Sequence, residues 1–166
     1  MIKIVAILFT ALIFLGCSSK GSDDQSSEPK LVVNRSLMGL TLKDQNEKTY
    51  SLQTGTKKII FAFSKDVGHG CNDFFATKDA SYLERNHAIF IADISGAPSL
   101  IRSMFIIPGL KDFKHRVLIL DDKDIAESYS ATQDVEKITL VNVENGIIKS
   151  IAKVNSVAEL AKILQN

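Results

Sequence analysis

The sequence has few cysteines, no tryptophan and no block of charges of one sign. Only two of its 166 residues are cysteine, and 20 Lys and Arg balance 19 Asp and Glu to a net charge of +1. A nucleic-acid partner would require a basic patch, and none is visible. No internal repeat is present. No Gly-x-Gly-x-x-Gly motif follows a predicted strand, so a dinucleotide-binding unit is not expected.

The longest apolar run is also short, and it lies at the start of the chain. It spans residues 4–14, after the positive charge of Lys3, whereas a bilayer-spanning helix needs about 20 apolar residues. These features are typical of a secretory signal. The signal resembles that of bacterial lipoproteins, with residues 14–17 as the lipobox and Phe14 where leucine is most common. The alternative is an ordinary cleaved signal with an accidental cysteine.

The lipoprotein resemblance implies a location and an anchor. Residues 1–16 would be removed, and Cys17 would become the lipid-bearing N-terminus. Lipoproteins generally carry three acyl chains. Several chains anchor a protein stably in a membrane, whereas a single chain binds only weakly. The implied location is the bacterial cell envelope, and Ser18 after the cysteine implies the outer membrane, facing the periplasm, in a Gram-negative host. We expect residues 17–36 to be the lipidated cysteine and a flexible tether, since residues 18–30 have almost no apolar side chains to bury. We expect residues 37–166 to form one domain.

Lipidation of Cys17 would leave Cys71 as the sole thiol of an exported protein. No internal disulfide could then form. A lone thiol in an oxidising compartment is either buried or reactive. Cys71 is therefore the first candidate for chemistry.

Strand and helix patterns alternate along the remainder of the chain. Apolar alternation and turn residues predict hairpins over 39–52 and over 137–152, the second around an Asn-Gly turn. Short apolar runs predict buried strands at 58–63, 88–93 and 116–120, and helices are predicted at 71–83, 99–105, 124–129 and 156–164. Phe61, Phe63, Phe74 and Phe75 are expected in the core. The order predicts an α/β sandwich, with a central mixed β-sheet flanked by helices and an N-terminal β-hairpin.

Three segments resemble the peroxiredoxins, a family with the thioredoxin-like fold. Residues 40–52 are similar to the family's opening hairpin Phe-x-Leu-x-Asp-x-x-Gly-Lys-x-x-Ser-Leu, with Glu47 in place of the glycine. Residues 63–71 resemble, without a gap, the active loop Tyr-Pro-Lys-Asp-x-Thr-x-Gly-Cys of the bacterioferritin-comigratory subgroup. Residues 135–146 resemble the segment Ile-Glu-Arg-Ser-Thr-Phe-Val before an Asp-Gly turn. The resemblance implies a thioredoxin-like sandwich.

The resemblance also implies a one-cysteine thiol peroxidase, but the motif is altered. Cys71 would sit at a helix N-terminus, where the dipole favours a thiolate, and an external thiol reductant would complete the cycle. Gly68 replaces the peroxide-orienting hydroxyl, Ser64 replaces the shielding proline, and Lys137 replaces the arginine, losing its bidentate fork. The candidate catalytic residues are Cys71, Lys137, Ser64 and His69, the last as a possible helper of thiolate formation.

Two other functions stay open at this point. The altered motif favours a non-catalytic thioredoxin-fold module that binds another envelope protein. Copper handling by His69 and Cys71 is a weaker alternative, because one Cys and one His make an incomplete soft-metal site. Dithiol exchange is excluded, since no second cysteine follows Cys71. We expect no cofactor and no metal, and we expect His87 and His115 at the surface.

Overall fold

The structure is a computed structural model that describes residues 28–165. The signal, Cys17 and most of the predicted tether lie outside the described residues. The strands are β1 (Thr41–Asp44), β2 (Thr49–Ser51), β3 (Lys58–Ala62), β4 (Ala88–Asp93), β5 (Leu118–Leu120), β6 (Ile138–Glu144) and β7 (Ile147–Val154). The helices are α1 (Lys65–Ala76), α2 (Tyr82–Arg85), α3 (Ser99–Ile101), α4 (Ile107–Lys111), α5 (Lys123–Ser130) and α6 (Val157–Gln165), with a π-helical segment (Arg102–Ile106) joining α3 to α4. Within 28–165, none of the helices has the length and apolar content that crossing a bilayer requires.

The seven strands form one mixed sheet in the order β2-β1-β5-β4-β3-β6-β7. β3, β4 and β5 run parallel, and the other neighbouring pairs are antiparallel. We call the edge at which β3, β4 and β5 end the carboxyl edge, and the edge at which they begin the amino edge. This arrangement confirms the predicted central mixed sheet with its N-terminal hairpin.

Alternating side chains of the strands build a core on each face of the sheet. Ile59, Phe61 and Ile91 point to the face covered by α5 and by the segment around Leu31, whereas Ile60 and Phe90 point to the face covered by α1, α2, α4 and α6. Leu31 is 3% exposed, and Lys30 N–H donates to the Ser128 carbonyl. Residues 30 and 31 therefore pack on the domain beside α5.

Both predicted hairpins are present, and left-handed residues close them. In the first, Leu42 pairs with Tyr50, and Asp44 Oδ1 accepts from Asn46 N–H at 2.8 Å. Glu47, where the peroxiredoxin pattern has glycine, adopts φ +63°. In the second, Asn145 and Gly146 both have positive φ, as a two-residue type I′ turn requires.

Two helices differ from their predicted positions. The helix predicted over 71–83 begins earlier, because α1 starts at Lys65 and includes both glycines of the segment that resembles the active loop. The helix expected to end before Pro108 continues to Lys111. A proline ring clashes with the carbonyl four residues earlier and lacks an N–H, and the wider π-helical turn over Arg102–Ile106 accommodates it.

Replacement of Gly146 by alanine should destabilise the second hairpin. Gly146 has φ +74°, and an added Cβ would clash with Met38 Sδ. We expect Gly146→Ala to lower the free energy of unfolding by about 1–2 kcal/mol, most of it from the left-handed backbone, because the exposed Met38 side chain can move. Urea titration measures this. Gly96→Ala is the matched control, since nothing lies within 4 Å of its added Cβ; equal losses for both variants would contradict the prediction.

Candidate functional site

Cys71 lies in the interior of α1 and not at its first turn. The helix begins at Lys65 with Ser64 as N-cap, so Cys71 sits about two turns along it at 3.6 residues per turn. The effect of a helix dipole on charge fades beyond the first turn. The expectation that the thiol occupies a helix N-terminus is therefore wrong, because the two glycines before it are helical.

The Cys71 thiol is sealed in the core. Its exposure is 0%, and it belongs to the apolar cluster that contains Ile60, Phe75 and Leu160. Burial raises the pKa of the thiol to about 12, and no charge within residues 28–165 opposes this. A thiolate, the nucleophilic form of cysteine, is thus strongly disfavoured at neutral pH.

The other three sequence-predicted residues do not converge on the sulfur. His69 is exposed on α1, two residues from Cys71, and so lies on a different face of the helix. Ser64 caps α1 without a side-chain hydrogen bond, and its buried Oγ has no partner among residues 28–165. Lys137 lies in the turn before β6, where its N–H donates to the Asp134 carbonyl at 3.0 Å.

The charge of Lys137 acts on Asp134 and not on Cys71. The hydrogen bond from Lys153 is the main reason that the pKa of the Asp134 carboxyl is lowered, and the Lys137 charge adds to it. β6 is antiparallel to β3, with Phe61 opposite Thr139, so the fold brings Lys137 and Ser64 to the same carboxyl edge. It does not bring them to the thiol.

A buried polar cluster that sequence reasoning missed lies beside Cys71. Asn72, the next residue of α1, is hydrogen-bonded through Oδ1 to His115 Nε2 at 3.0 Å. Gln45 Nε2 donates to the His115 carbonyl at 2.8 Å, and Gln45 Oε1 accepts from Val117 N–H at 2.9 Å. Gln45 thereby ties the first hairpin turn to the segment that leads into β5.

His115 is 1% exposed, so its expected surface position is wrong. Its ring packs between Phe75, Phe90 and Phe113, and its Nδ1 has no partner within residues 28–165. Burial lowers the pKa of the imidazole to about 4. The available signal was the spacing of Phe113, His115 and Val117, which places all three on one side of an extended segment.

An open cleft of about 540 Å³ lies at the amino edge, on the far side of the domain from Ser64 and Lys137. Its rim carries charges of both signs, among them Asp44, Glu84, Lys114 and Arg116. Arg116 and Asp44 pair at 3.8 Å. The described residues show no single ligand chemistry in this cleft.

Copper handling finds no geometric support in the described residues. His69 faces solvent whereas Cys71 is buried, so the two side chains, on different faces of α1, cannot bind one ion together. Across residues 28–165, no three His, Cys, Asp or Glu side chains are grouped so that they could hold a metal ion.

No protein-family model matches the sequence, and no curated protein sequence matches it. Solved structures do resemble the fold. A protein from Bacteroides thetaiotaomicron to which protein disulfide isomerase activity is attributed shares 13% identity at a TM-score of 0.52, over 81% of this chain and 86% of its own. An exposed lipoprotein thioredoxin from Streptococcus pneumoniae shares 14% identity at 0.51, over 76% and 97%.

The thioredoxin domain of a thiol-disulfide oxidoreductase from Bacteroides vulgatus shares 13% identity at a TM-score of 0.50, over 81% of this chain and 96% of its own. A mitochondrial 2-Cys peroxiredoxin from Plasmodium falciparum and a thiol peroxidase from Chromobacterium violaceum are also among the similar structures, at TM-scores of 0.47 and 0.45. At such identities the likeness concerns the fold alone. The chain is therefore a divergent protein with the thioredoxin-like fold, the fold on which thiol redox proteins are built.

Proposed function

We propose that this chain is a non-catalytic, thioredoxin-like binding module, held at the bacterial cell envelope by a lipid on Cys17. The burial of Cys71 carries the proposal. A thiol-based enzyme needs an accessible thiolate, and this sulfur is 0% exposed with its pKa raised to about 12. A free cysteine in such a position acts as a small core side chain.

The altered active-loop positions support the same proposal. Ser64 offers its hydroxyl to no partner among the described residues, His69 faces solvent, and Lys137 acts on Asp134. None of them supplies the hydrogen bond or positive charge that would favour a thiolate at Cys71. A domain that keeps the fold of an enzyme family but lacks the catalytic groups can function by binding through its surface.

The lipid anchor is part of the proposal and is supported by the lipobox at residues 14–17. Cleavage before Cys17 would leave a mature chain held in the membrane by acylation, at the outer membrane facing the periplasm in a Gram-negative host. Stable anchoring needs more than one acyl chain, which lipoprotein modification supplies.

The second candidate is a one-cysteine thiol peroxidase, which the thioredoxin-like fold favours. Cys71 thiolate would attack one oxygen of the peroxide, giving a sulfenic acid and releasing the other oxygen as water or alcohol. An external thiol would then reduce the sulfenic acid. This chemistry requires an opening of the domain that exposes the sulfur.

One experiment on the full chain separates these functions. The chain is expressed in bacteria with its signal, and membranes are assayed for the protein and for thiol-dependent peroxide removal. We expect Cys17→Ala to move most of the protein to the soluble fraction, and we expect Cys71→Ser to remove peroxide no more slowly than the unsubstituted chain. Membrane retention of Cys17→Ala would overturn the anchor, and peroxide removal that depends on Cys71 would establish the second candidate.

A further inference from the structure

An unusual apolar face lies on α3 and the π-helical segment. Leu100, Ile101, Met104 and Phe105 are 64%, 42%, 59% and 64% exposed. Leu100 and Met104 are four residues apart, and so are Ile101 and Phe105. Side chains at that spacing lie on one side of a helix. α3 and the π-helical segment hold no buried residue, and the chain meets the core at Ile106, where the π-helical segment ends, and at Leu110 of α4. We refer to these four residues as the apolar face; contiguous exposed patches of this kind mark interaction sites.

The apolar face is fixed at the carboxyl edge of the sheet. Arg102 lies within it, and its guanidinium donates to the carbonyls of Ser95 and Asp121. Ser95 follows β4 and Asp121 follows β5. The same edge carries the exposed Ile125 in the first turn of α5.

The chain enters the domain at this edge. Glu28, the first described residue, lines a shallow cavity together with Asp124 and Ile125 at the start of α5. α5 begins two residues after Asp121, the residue to which Arg102 is bonded. Eleven peptide units separate Glu28 from Cys17, so they span at most about 40 Å at 3.3–3.6 Å per residue. A lipid on Cys17 would therefore keep Glu28, and with it the carboxyl edge, within about 40 Å of the membrane.

We propose that the apolar face inserts into the interfacial zone of the phospholipid bilayer that carries the Cys17 anchor. This inference rests on the proposed lipid anchor and names the bilayer as the surface that the module binds. An apolar helix face of this kind goes about 5–10 Å into the boundary of headgroups and acyl chains. The anchor makes insertion an intramolecular event, so a small face suffices where a free protein would need a larger one.

Charge around the face favours a zwitterionic membrane. Residues 121–124, which hold three aspartates and one lysine, are exposed at the same edge, Lys137 lies there too, and Arg102 is partly engaged with backbone carbonyls. Anionic lipid attracts an excess of Lys and Arg, which this edge does not show within the described residues. We therefore expect insertion to depend little on salt concentration.

The absence of tryptophan from the sequence permits a clean test. Phe105→Trp places one tryptophan on the apolar face of the lipidated full chain, which is reconstituted in phosphatidylcholine vesicles with or without bromine on the upper acyl chain. Val33→Trp is the matched control. Val33 is also apolar and 47% exposed, and its neighbour Asn34 donates to the Ile148 carbonyl near the amino edge.

We expect brominated lipid to reduce the tryptophan emission of Phe105→Trp at least about twofold, because an inserted face reaches the upper acyl chain. The emission of Val33→Trp should stay unchanged. Leu100→Ser and Met104→Ser, added to Phe105→Trp, should remove most of the quenching without releasing the protein from vesicles. Protein that floats with vesicles but shows no quenching, or equal quenching at Val33, would overturn the inference and leave the anchor intact. Protein that does not float would overturn the anchor, and the inference with it. If the tryptophan is shielded from solvent only when native membranes are added, the apolar face binds an envelope protein. That result would overturn the bilayer as the occupant of the face.

Discussion

Alkylation of native Cys71 at pH 7 is expected to be about a thousandfold slower than alkylation of the unfolded chain. Only the thiolate reacts, and burial raises the pKa of this thiol from 9.0 to about 12. Each pKa unit lowers the thiolate fraction about tenfold at a pH well below both values. The need for the domain to open before a reagent reaches a sulfur that is 0% exposed slows the native reaction further.

Site-resolved mass spectrometry measures this rate on the Cys71 peptide, so that Cys17 does not interfere. Iodoacetamide is added to the native chain and to the chain in denaturant. Ala76→Cys in a Cys71→Ala background is the matched control, because Ala76 is exposed on the same helix, and it should react at the same rate in both conditions. Rates for native Cys71 within tenfold of the control would contradict the buried, protonated thiol and revive the redox function.

Most of the sheet could be predicted from the sequence because its signals are local. The runs over 59–62 and 88–92 are apolar throughout, and both are buried within their strands. The Asn145-Gly146 pair fixes the second hairpin through backbone conformation alone. Ser156 caps the helix predicted over 156–164, with Glu159 N–H donating to Ser156 Oγ at 3.2 Å.

The candidate site was harder to predict because it depends on where α1 begins. Gly68 and Gly70 are poor helix formers and predict a loop, but tertiary packing overrides them: a Cβ on Gly70 would lie 4.0 Å from Val157 Cγ1 of α6. Because the helix begins at Lys65, Cys71 lies in the buried interior of the helix and not at its N-terminus. A single boundary thus decides whether the spacing of residues 63–71 describes an active loop or a buried helix face.

The partner of a buried polar residue is also invisible in the sequence. Asn72 and His115 are 43 positions apart, and their contact depends on α1 and the approach to β5 meeting on one face of the sheet. The apolar residues two positions to either side of His115 are a weak local signal of burial, and they do not identify Asn72 as its partner. Pairings of this kind are set by tertiary packing, which composition and periodicity do not contain.

His115 is expected to make the domain sensitive to mild acid. The pKa of its imidazole is about 4 in the folded protein, against an ordinary value of 6.5. Between these values the unfolded chain binds a proton that the folded chain does not, so the free energy of unfolding falls as pH decreases from about 6.5 to about 4. Above pH 6.5 this contribution is complete and constant. At 1.36 kcal/mol per pKa unit, the full loss is about 3 kcal/mol at most.

Urea titrations at several pH values test this. His115→Gln removes the titration and keeps an amide that can face Asn72, so it should flatten the dependence between pH 6.5 and 4, even if it lowers stability at pH 7. His87→Gln is the control, since His87 is exposed, and it should leave the slope unchanged. The carboxyls whose pKa is lowered by ion pairs, such as that of Asp134, lose their contribution only as pH falls below about 4. A slope that survives His115→Gln would show that the imidazole is protonated in the fold, and the burial of an unpaired Nδ1 would then need a different explanation.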